Sequence, residues 1–353
     1  MTSDTTSSSP ALAPPAAPDV TVAALGEHAL VERIASRARL SGPHVLVGIG
    51  DDAAVTRPER GAVEVTTTDS LVEHVHFRRD WTPLASVGHK ALAVNLSDLA
   101  AMGAVPQSAF LSLILPAELT VADFDALVGG FLDLATAARV SLIGGNISRS
   151  PGPLIVDVTA VGSVRQRRVL RRAGARAGHE LYVTGTLGAA AAGLAMFEAG
   201  RRRGDGDAVF DACFDHYERP DARWRVASVI ARTGAASAAI DLSDGLADAA
   251  RRLAEAAGLG VVVEAAAVPV DPGARAWAET AGRDALAFAV EGGEDYEVAF
   301  AVAPRQRRKF LAAARRGGHV PVTRVGRFVA EPGAWLERDD GRRNELAAGF
   351  VHF

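Results

Sequence analysis

Cysteine is nearly absent from this chain. Cys213 is the single one among 353 residues. That excludes an intrachain disulfide and fits a reducing compartment, so a cytoplasmic location is expected. No apolar run is long and uncharged enough to span a bilayer. No basic stretch followed by an apolar core opens the N-terminus, so no signal peptide is expected. A net charge of −4 argues against a general nucleic-acid or membrane-surface binder. The common nucleotide signatures are also missing: there is no G-x-x-x-x-G-K-[ST] and no H-R-D paired with D-F-G. Any phosphate chemistry here has to be built without a P-loop lysine.

What the chain does have is aspartate in a recurring setting. Asp51 and Asp52 (GIGDDAAV), Asp69 (TTTDSLVEHVHF), Asp98 (NLSDLAAMGA), and Asp241 and Asp244 (DLSDGL) sit at turns or just after short apolar runs, with no cationic residue beside them in sequence. Carboxylates placed this way repel one another unless something neutralises them. Hard divalent cations such as Mg²⁺ do so, and they bring phosphates with them. The pattern points to metal-assisted phosphate chemistry.

With 48% hydrophobic and 23% charged residues, the chain is long enough and apolar enough for two domains with their own cores. Residues 1–24, rich in Ser, Thr, Pro and Ala, are expected to be a disordered tail. A first domain is expected over 25–164. It holds helices near Glu27–Arg39, Pro83–Met102 and Val121–Ala138, and strands at His44–Ile49, Val63–Thr67, Val72–Phe77, Ala109–Leu115 and Leu154–Val161. The basic segment Arg165–Arg176 then leads into a second domain over 165–353. Its expected strands are Glu180–Thr184, Ala238–Leu242, Gly260–Ala265 and Tyr296–Val302; its helices include Leu246–Ala257 and Arg305–Arg316. Strands and helices do not alternate strictly, so the class is α/β in the broad sense and α+β in detail.

Each motif has a bland reading beside a chemical one. Gly48–Ala53 formally fits G-x-G-x-x-A, but two carboxylates would stand where a pyrophosphate needs backbone N–H groups. It reads as well as a glycine turn with two solvated aspartates. Thr67, Thr68, Asp69 and Ser70 offer a hard-oxygen set, or simply a strand end. His74 and His76 share a face if their strand is regular, without the further ligands a zinc site needs. Asn95 and Asp98 share one face of a helix that has little room for an all-solvent side. In Asp241–Gly245, Ser243 or Asp244 is a natural helix N-cap. The same helix start also offers N–H groups to a phosphate, with Asp241 and Asp244 holding metal beside it. The acid run Glu291–Glu297 is a solvated loop or the lip of a pocket for a cationic substrate. The arginines of 165–172 are a solvated connector, or one of them reaches a polyphosphate.

Taken in order, these motifs resemble those of the thiamine-monophosphate kinase family. The matching segments are GIGDDAAV, TTDSLVEHVHF, GHKALAVNLSDLAAMGA, LIGGNISRSPGPLIVDVTAVG, AIDLSDGLADAARRLAE, GGEDYEVAF and the closing GFVHF. Together they run from about Gly26 to Phe353. The family belongs to an ATP-binding superfamily with aminoimidazole ribonucleotide synthetase, selenophosphate synthetase and a hydrogenase-maturation protein. The latter two would want a reactive cysteine near one terminus or the other, which this chain lacks.

The resemblance implies an aminoimidazole ribonucleotide synthetase-like fold of two domains. The N-terminal domain would bind ATP and Mg²⁺, and its sheet would pair across a homodimer. The implied reaction is phosphorylation of thiamine phosphate by ATP to thiamine diphosphate, with several Mg²⁺ ions and no nucleic-acid or membrane partner. Asp52, Thr67, Thr68, Asp69, Asp98, Asp241 and Asp244 match the family's metal ligands. Gly145, Arg172 and Ser243 match its ATP contacts. His76, Glu294 and the aromatic Phe350 match its thiamine phosphate contacts. No residue is assigned as a general acid or base. One departure stands out: Asn146 occupies a metal-ligand position, also beside ATP, where the family usually has aspartate. His74 replaces a usually small residue. Two rivals remain: an ATP-dependent synthetase that closes a ring through an amide or amidine oxygen, and a nucleotide-binding homologue without turnover.

Overall fold

The helix Leu84–Ala101 is buried nearly all round, with only Ala85, His89 and Asp98 partly open. It lies between the two halves of the molecule and carries contacts to both. The computed structural model describes residues 20–38, 42–206 and 208–346. The first half comprises α1 (Val22–Leu25), α2 (Glu27–Arg37), β1 (Val45–Val47), β2 (Val55–Thr56), β3 (Val63–Val72), α3 (Leu84–Ala101), β4 (Val105–Pro116), α4 (Val121–Ala138), β5 (Ser141–Ser150) and β6 (Ile155–Val164). The second comprises β7 (Glu180–Thr184), α5 (Ala189–Glu198), α6 (Ala208–Glu218), α7 (Trp224–Thr233), β8 (Ala238–Asp241), α8 (Leu246–Glu255), β9 (Gly260–Glu264), α9 (Pro272–Ala281), α10 (Ala285–Glu291), β10 (Val298–Val302), α11 (Arg307–Gly317), β11 (Val322–Val329), β12 (Gly333–Glu337) and β13 (Arg343–Glu345).

In the first half, a four-stranded sheet of order β3-β6-β4-β5 is covered on one face by α3 and α4. The two helices cross closely because Gly88 and Gly130 leave their backbones bare. A Cβ at Gly88 would stand 1.9 Å from Leu127 O, and one at Gly130 1.7 Å from Ala85 O. In the second half, a seven-stranded sheet of order β13-β12-β9-β11-β7-β10-β8 is buried on both faces. Helices α7 and α11 cover one face, and α8 with α10 the other. A smaller aromatic cluster, including Phe197, Phe214, Tyr217 and Trp277, joins α5, α6 and α9. Most pairings are antiparallel, as α+β organisation requires; β4–β5 and β9–β12 are parallel.

The structure corrects several sequence expectations. The tail does not extend to residue 24: Thr21 pairs with Thr120, its hydroxyl caps α1, and Val22 is buried. β3 does not end at Thr67; it pairs with β6 from Val63↔Val164 to Val72↔Ile155, which places Asp69 and Ser70 inside the ladder. The expected strand Val72–Phe77 is a tight turn. His74 N donates to Phe77 O at 2.8 Å and His74 has a φ of 68°, so His74 and His76 share no strand face. β5 hides behind Gly-Gly-Asn-Ile-Ser, which reads as a turn but pairs in parallel with β4, Leu111↔Gly145 and Ser112↔Asn146. β11, interrupted by Arg324 and Arg327, is central because those side chains pair with Glu264. Phe350 and the rest of GFVHF lie outside the described residues.

Candidate functional site

The first group of predicted residues lines a groove in the first half. Val31 and Ile34 of α2, the loop 48–54, Phe110 and Leu111 of β4, and residues 142–147 of β5 enclose about 310 Å³. Asp52, Gly145 and Asn146 meet there. Gly145 has no room for a side chain, since a Cβ would lie 1.9 Å from Leu111 O. The bare Cα lets β5 lie close against β4 at this point. Asp52 is exposed, and its N–H donates to Asp51 Oδ1 at 2.9 Å.

The second group lies where the halves meet. Strand alternation directs Thr67 and Asp69 of β3 to the α3 side, with buried Leu71. Thr67 Oγ1 donates to Asp98 Oδ2. Ser97 Oγ donates to Asp241 Oδ2 at 2.8 Å, tying α3 to the end of β8. Asp69, Asp98 and Asp241 thus converge from three elements and both halves. Burial first, then the Asp98 carboxylate, pushes Asp69 up to about 7. Asp241 is likewise pushed up to about 7 by burial and by Asp98, against the Ser97 hydrogen bond. Burial and the crowding of like charges thus bring both carboxyls into the neutral range.

Thr68 is a correction. Its side chain points to the opposite sheet face, donating to Val158 O at 3.1 Å, so its hydroxyl does not join this cluster. So is the cap of α8. The N-cap position is Gly245, with a φ of 93°, instead of Ser243 or Asp244, and no described side chain caps it. The first-turn N–H groups are left for another acceptor. Asp244 is not without a cation, since Arg252 lies 3.9 Å away, one further turn along α8. Arg172 is exposed; Ala239 N donates to the neighbouring Arg171 O at 3.1 Å, which sets this connector along the open edge of β8. Asn95 is fully buried: it donates to Ala91 O at 3.0 Å, and its own Oδ1 meets no described partner.

The acid run before β10 is exposed at Glu291 and turns inward from there. Glu297 is buried and pairs with Arg223, Nε donating at 2.7 Å, while Thr184 donates to the same carboxylate. Asp295 is buried and accepts from Gly188 N at 2.8 Å. Glu294 stays partly open, and Lys90 Nζ lies 2.9 Å from its Oε1. Lys90 was not singled out by motif reasoning. Its signal was rarity: it is one of just two lysines in an arginine-rich chain. His76 Nδ1 accepts from Val72 N at 3.1 Å, and its backbone oxygen accepts from Tyr217 OH at 3.3 Å. Cys213 is buried and pushed up to about 12 by burial, so it is an inert core thiol.

The donor set fits a hard cation. Every polar side-chain atom in the Thr67–Asp69–Asp98–Asp241 group is an oxygen, and among the described residues none of its carboxylates forms an ion pair. Among the described residues no three acidic, imidazole or thiol side chains form a cation cage by themselves. Mg²⁺ does not need one, because it is commonly held by one or two carboxylates with waters and phosphate oxygens completing its shell.

A two-domain α+β chain with a groove in its first domain and converging acids at the domain junction defines a class, and comparison with known proteins agrees. Residues 50–164 match the AIR synthase related protein, N-terminal domain, and residues 176–337 match the AIR synthase related protein, C-terminal domain. The chain is 38% identical to the thiamine-monophosphate kinase of Escherichia coli (strain K12) over 332 residues, covering 94% of this chain and 99% of that one. The crystal structure of thiamine-monophosphate kinase from Stenotrophomonas maltophilia superposes with a TM-score of 0.79 at 37% identity, covering 90% of this chain and 96% of that chain. AaThiL complexed with AMPPCP and TMP superposes with a TM-score of 0.74 at 29% identity, covering 93% and 97%. The chain belongs to the thiamine-monophosphate kinase family. Among the described residues no helix is long and apolar enough to cross a membrane.

Proposed function

We propose that this chain transfers the terminal phosphate of ATP in line to a phosphate oxygen of thiamine phosphate, giving ADP and thiamine diphosphate. One bond from the terminal phosphorus to the ADP oxygen breaks and one to the thiamine phosphate oxygen forms. The acceptor is already an anion at neutral pH, so no general base is required and none is assigned. The observation that carries the reading is the convergence of Asp69, Asp98 and Asp241 from both domains, tied together through Thr67 and Ser97.

When bound, Mg²⁺ would neutralise and bridge the two polyanions. Asp52, Asp69, Asp98, Asp241 and Asp244 would hold it, with Thr67, the backbone of Thr68 and the amide oxygen of Asn146. Gly145, Arg172, Ser243 and the uncapped start of α8 would receive the nucleotide's phosphates. His76, Glu294 and Phe350 would contact thiamine phosphate. Positioning supplies most of the remaining rate, because residues of both domains would hold each substrate. The enzyme is expected to be cytoplasmic and to work as a homodimer. In support of a dimer, the outer face of the four-stranded sheet presents the partly exposed Phe110, Ile114, Ile155 and Val161.

A second reading has one observation behind it. Asn146 removes a negative charge from the expected metal set, as it would in a nucleotide-binding homologue that no longer turns over. Incubation with ATP, Mg²⁺ and thiamine phosphate separates the two. Thiamine diphosphate as product supports the kinase; ATP binding without product supports the sensor and sinks the kinase reading.

A further inference from the structure

Lys90 is an ammonium with 1% of its side chain exposed, in the middle of a helix whose other buried positions are mostly apolar. Burying a charge is unfavourable unless a partner compensates it. The partner is Glu294, from the other domain, at 2.9 Å. The Tyr217 ring takes the ammonium on its face, 4.1 Å from the ring centre. No described acceptor is aligned well enough to take a hydrogen bond from Nζ, Glu294 included. The nearby Glu218 also feels the Lys90 charge, but its close ion pair is with Arg203 at 3.0 Å.

Both arms of this arrangement reach the thiamine phosphate contacts proposed above. Glu294 sits at a φ of 67°, a region that residues other than glycine seldom adopt. Its backbone is fixed there by Glu294 N donating to Ser243 O at 2.7 Å. With one carboxylate oxygen against Lys90 and a quarter of the side chain open, the other oxygen is left for a ligand. On the second arm, Tyr217 donates to the backbone oxygen of His76.

We propose that Lys90 is a positioning residue for thiamine phosphate: through Glu294 it keeps a carboxylate aimed at the organic cation, and it touches neither ATP nor the transferred phosphate. This rests on the kinase reading, and the test separates the two. The KM values for thiamine phosphate and ATP are measured for wild type, Lys90→Met, Glu294→Gln and the double variant, with melting curves to establish folding. Expected is a rise of about tenfold or more in the thiamine phosphate KM for Glu294→Gln and for Lys90→Met, with the ATP KM within about twofold. The double variant should match Glu294→Gln within about twofold, because Lys90 has nothing left to position. If Lys90→Met alone fails to fold, the comparison of Glu294→Gln with the double variant decides, since removing both charges leaves none unpaired. A double variant about fivefold or more worse than Glu294→Gln, or an ATP KM that rises in parallel, overturns the proposal. A wild type that makes no thiamine diphosphate overturns the kinase reading instead.

Discussion

Two acid-rich regions face each other across β8 and β10, and the fold treats them in opposite ways. Asp69, Asp98 and Asp241 converge with only hydroxyls for company, and two of them are driven to about 7. Glu294 and Glu297, which run against the Asp241–Asp244 loop, each have an internal cation: Lys90 and Arg223. Acid count alone therefore does not mark a cation site. The group whose charge the protein leaves unanswered is the one available to a metal and its phosphates. The group already answered holds domains and strands together.

That contrast can be broken at several points. The largest expected effect is from Asp98→Asn. Turnover should fall by about 10³, roughly 4 kcal/mol of transition-state stabilisation, while the metal-free protein gains about 1 kcal/mol in denaturant unfolding from relieved repulsion. An active Asp98→Asn would remove the central acid from the account. Glu297→Gln should do the reverse: a loss of about 3 kcal/mol in unfolding stability, because buried Arg223 then keeps only the exposed Asp221 as counter-charge. Stability unchanged in that variant would mean the pair is not structural.

A smaller effect comes from pH. Asp69 and Asp241 titrate near 7 when folded, above the ordinary carboxylate value of about 4. A raised folded value means that their contribution to metal-free stability is fully present below about pH 4 and is lost as pH rises towards 7. Cations must displace those protons, so the half-saturating Mg²⁺ concentration should fall between about pH 6 and pH 8, by up to about tenfold per unit for one proton. A titration flat across that range would place the acids elsewhere. The smallest effect is from Asn146→Asp, which should tighten Mg²⁺ dependence a few-fold if position 146 is a ligand, by restoring one charge.

Much of the fold was legible because apolar periodicity reports local burial. Val121–Ala138 and Glu180–Thr184 form as their patterns indicate. β5 and β11 were not, since one is rich in turn residues and the other in arginines; both are strands because of partners far away in sequence. At the site, the aspartates were visible as unpaired in sequence, and three of them do meet. Thr68 could be excluded from that group only once β3 was seen to run past it with unbroken alternation. The fate of Glu294 and Glu297 was hidden as well, because Lys90, on α3, and Arg223, just before α7, lie more than seventy residues away in sequence.

The most direct measurement compares melting temperatures with Mg²⁺ and ATP against EDTA for wild type, Asp98→Asn and Glu297→Gln. The unanswered-charge account predicts that ligand raises the melting temperature of wild type and of Glu297→Gln alike, the latter from a lower start. Asp98→Asn should start higher and gain little. An Asp98→Asn protein that gains as much as wild type would contradict it.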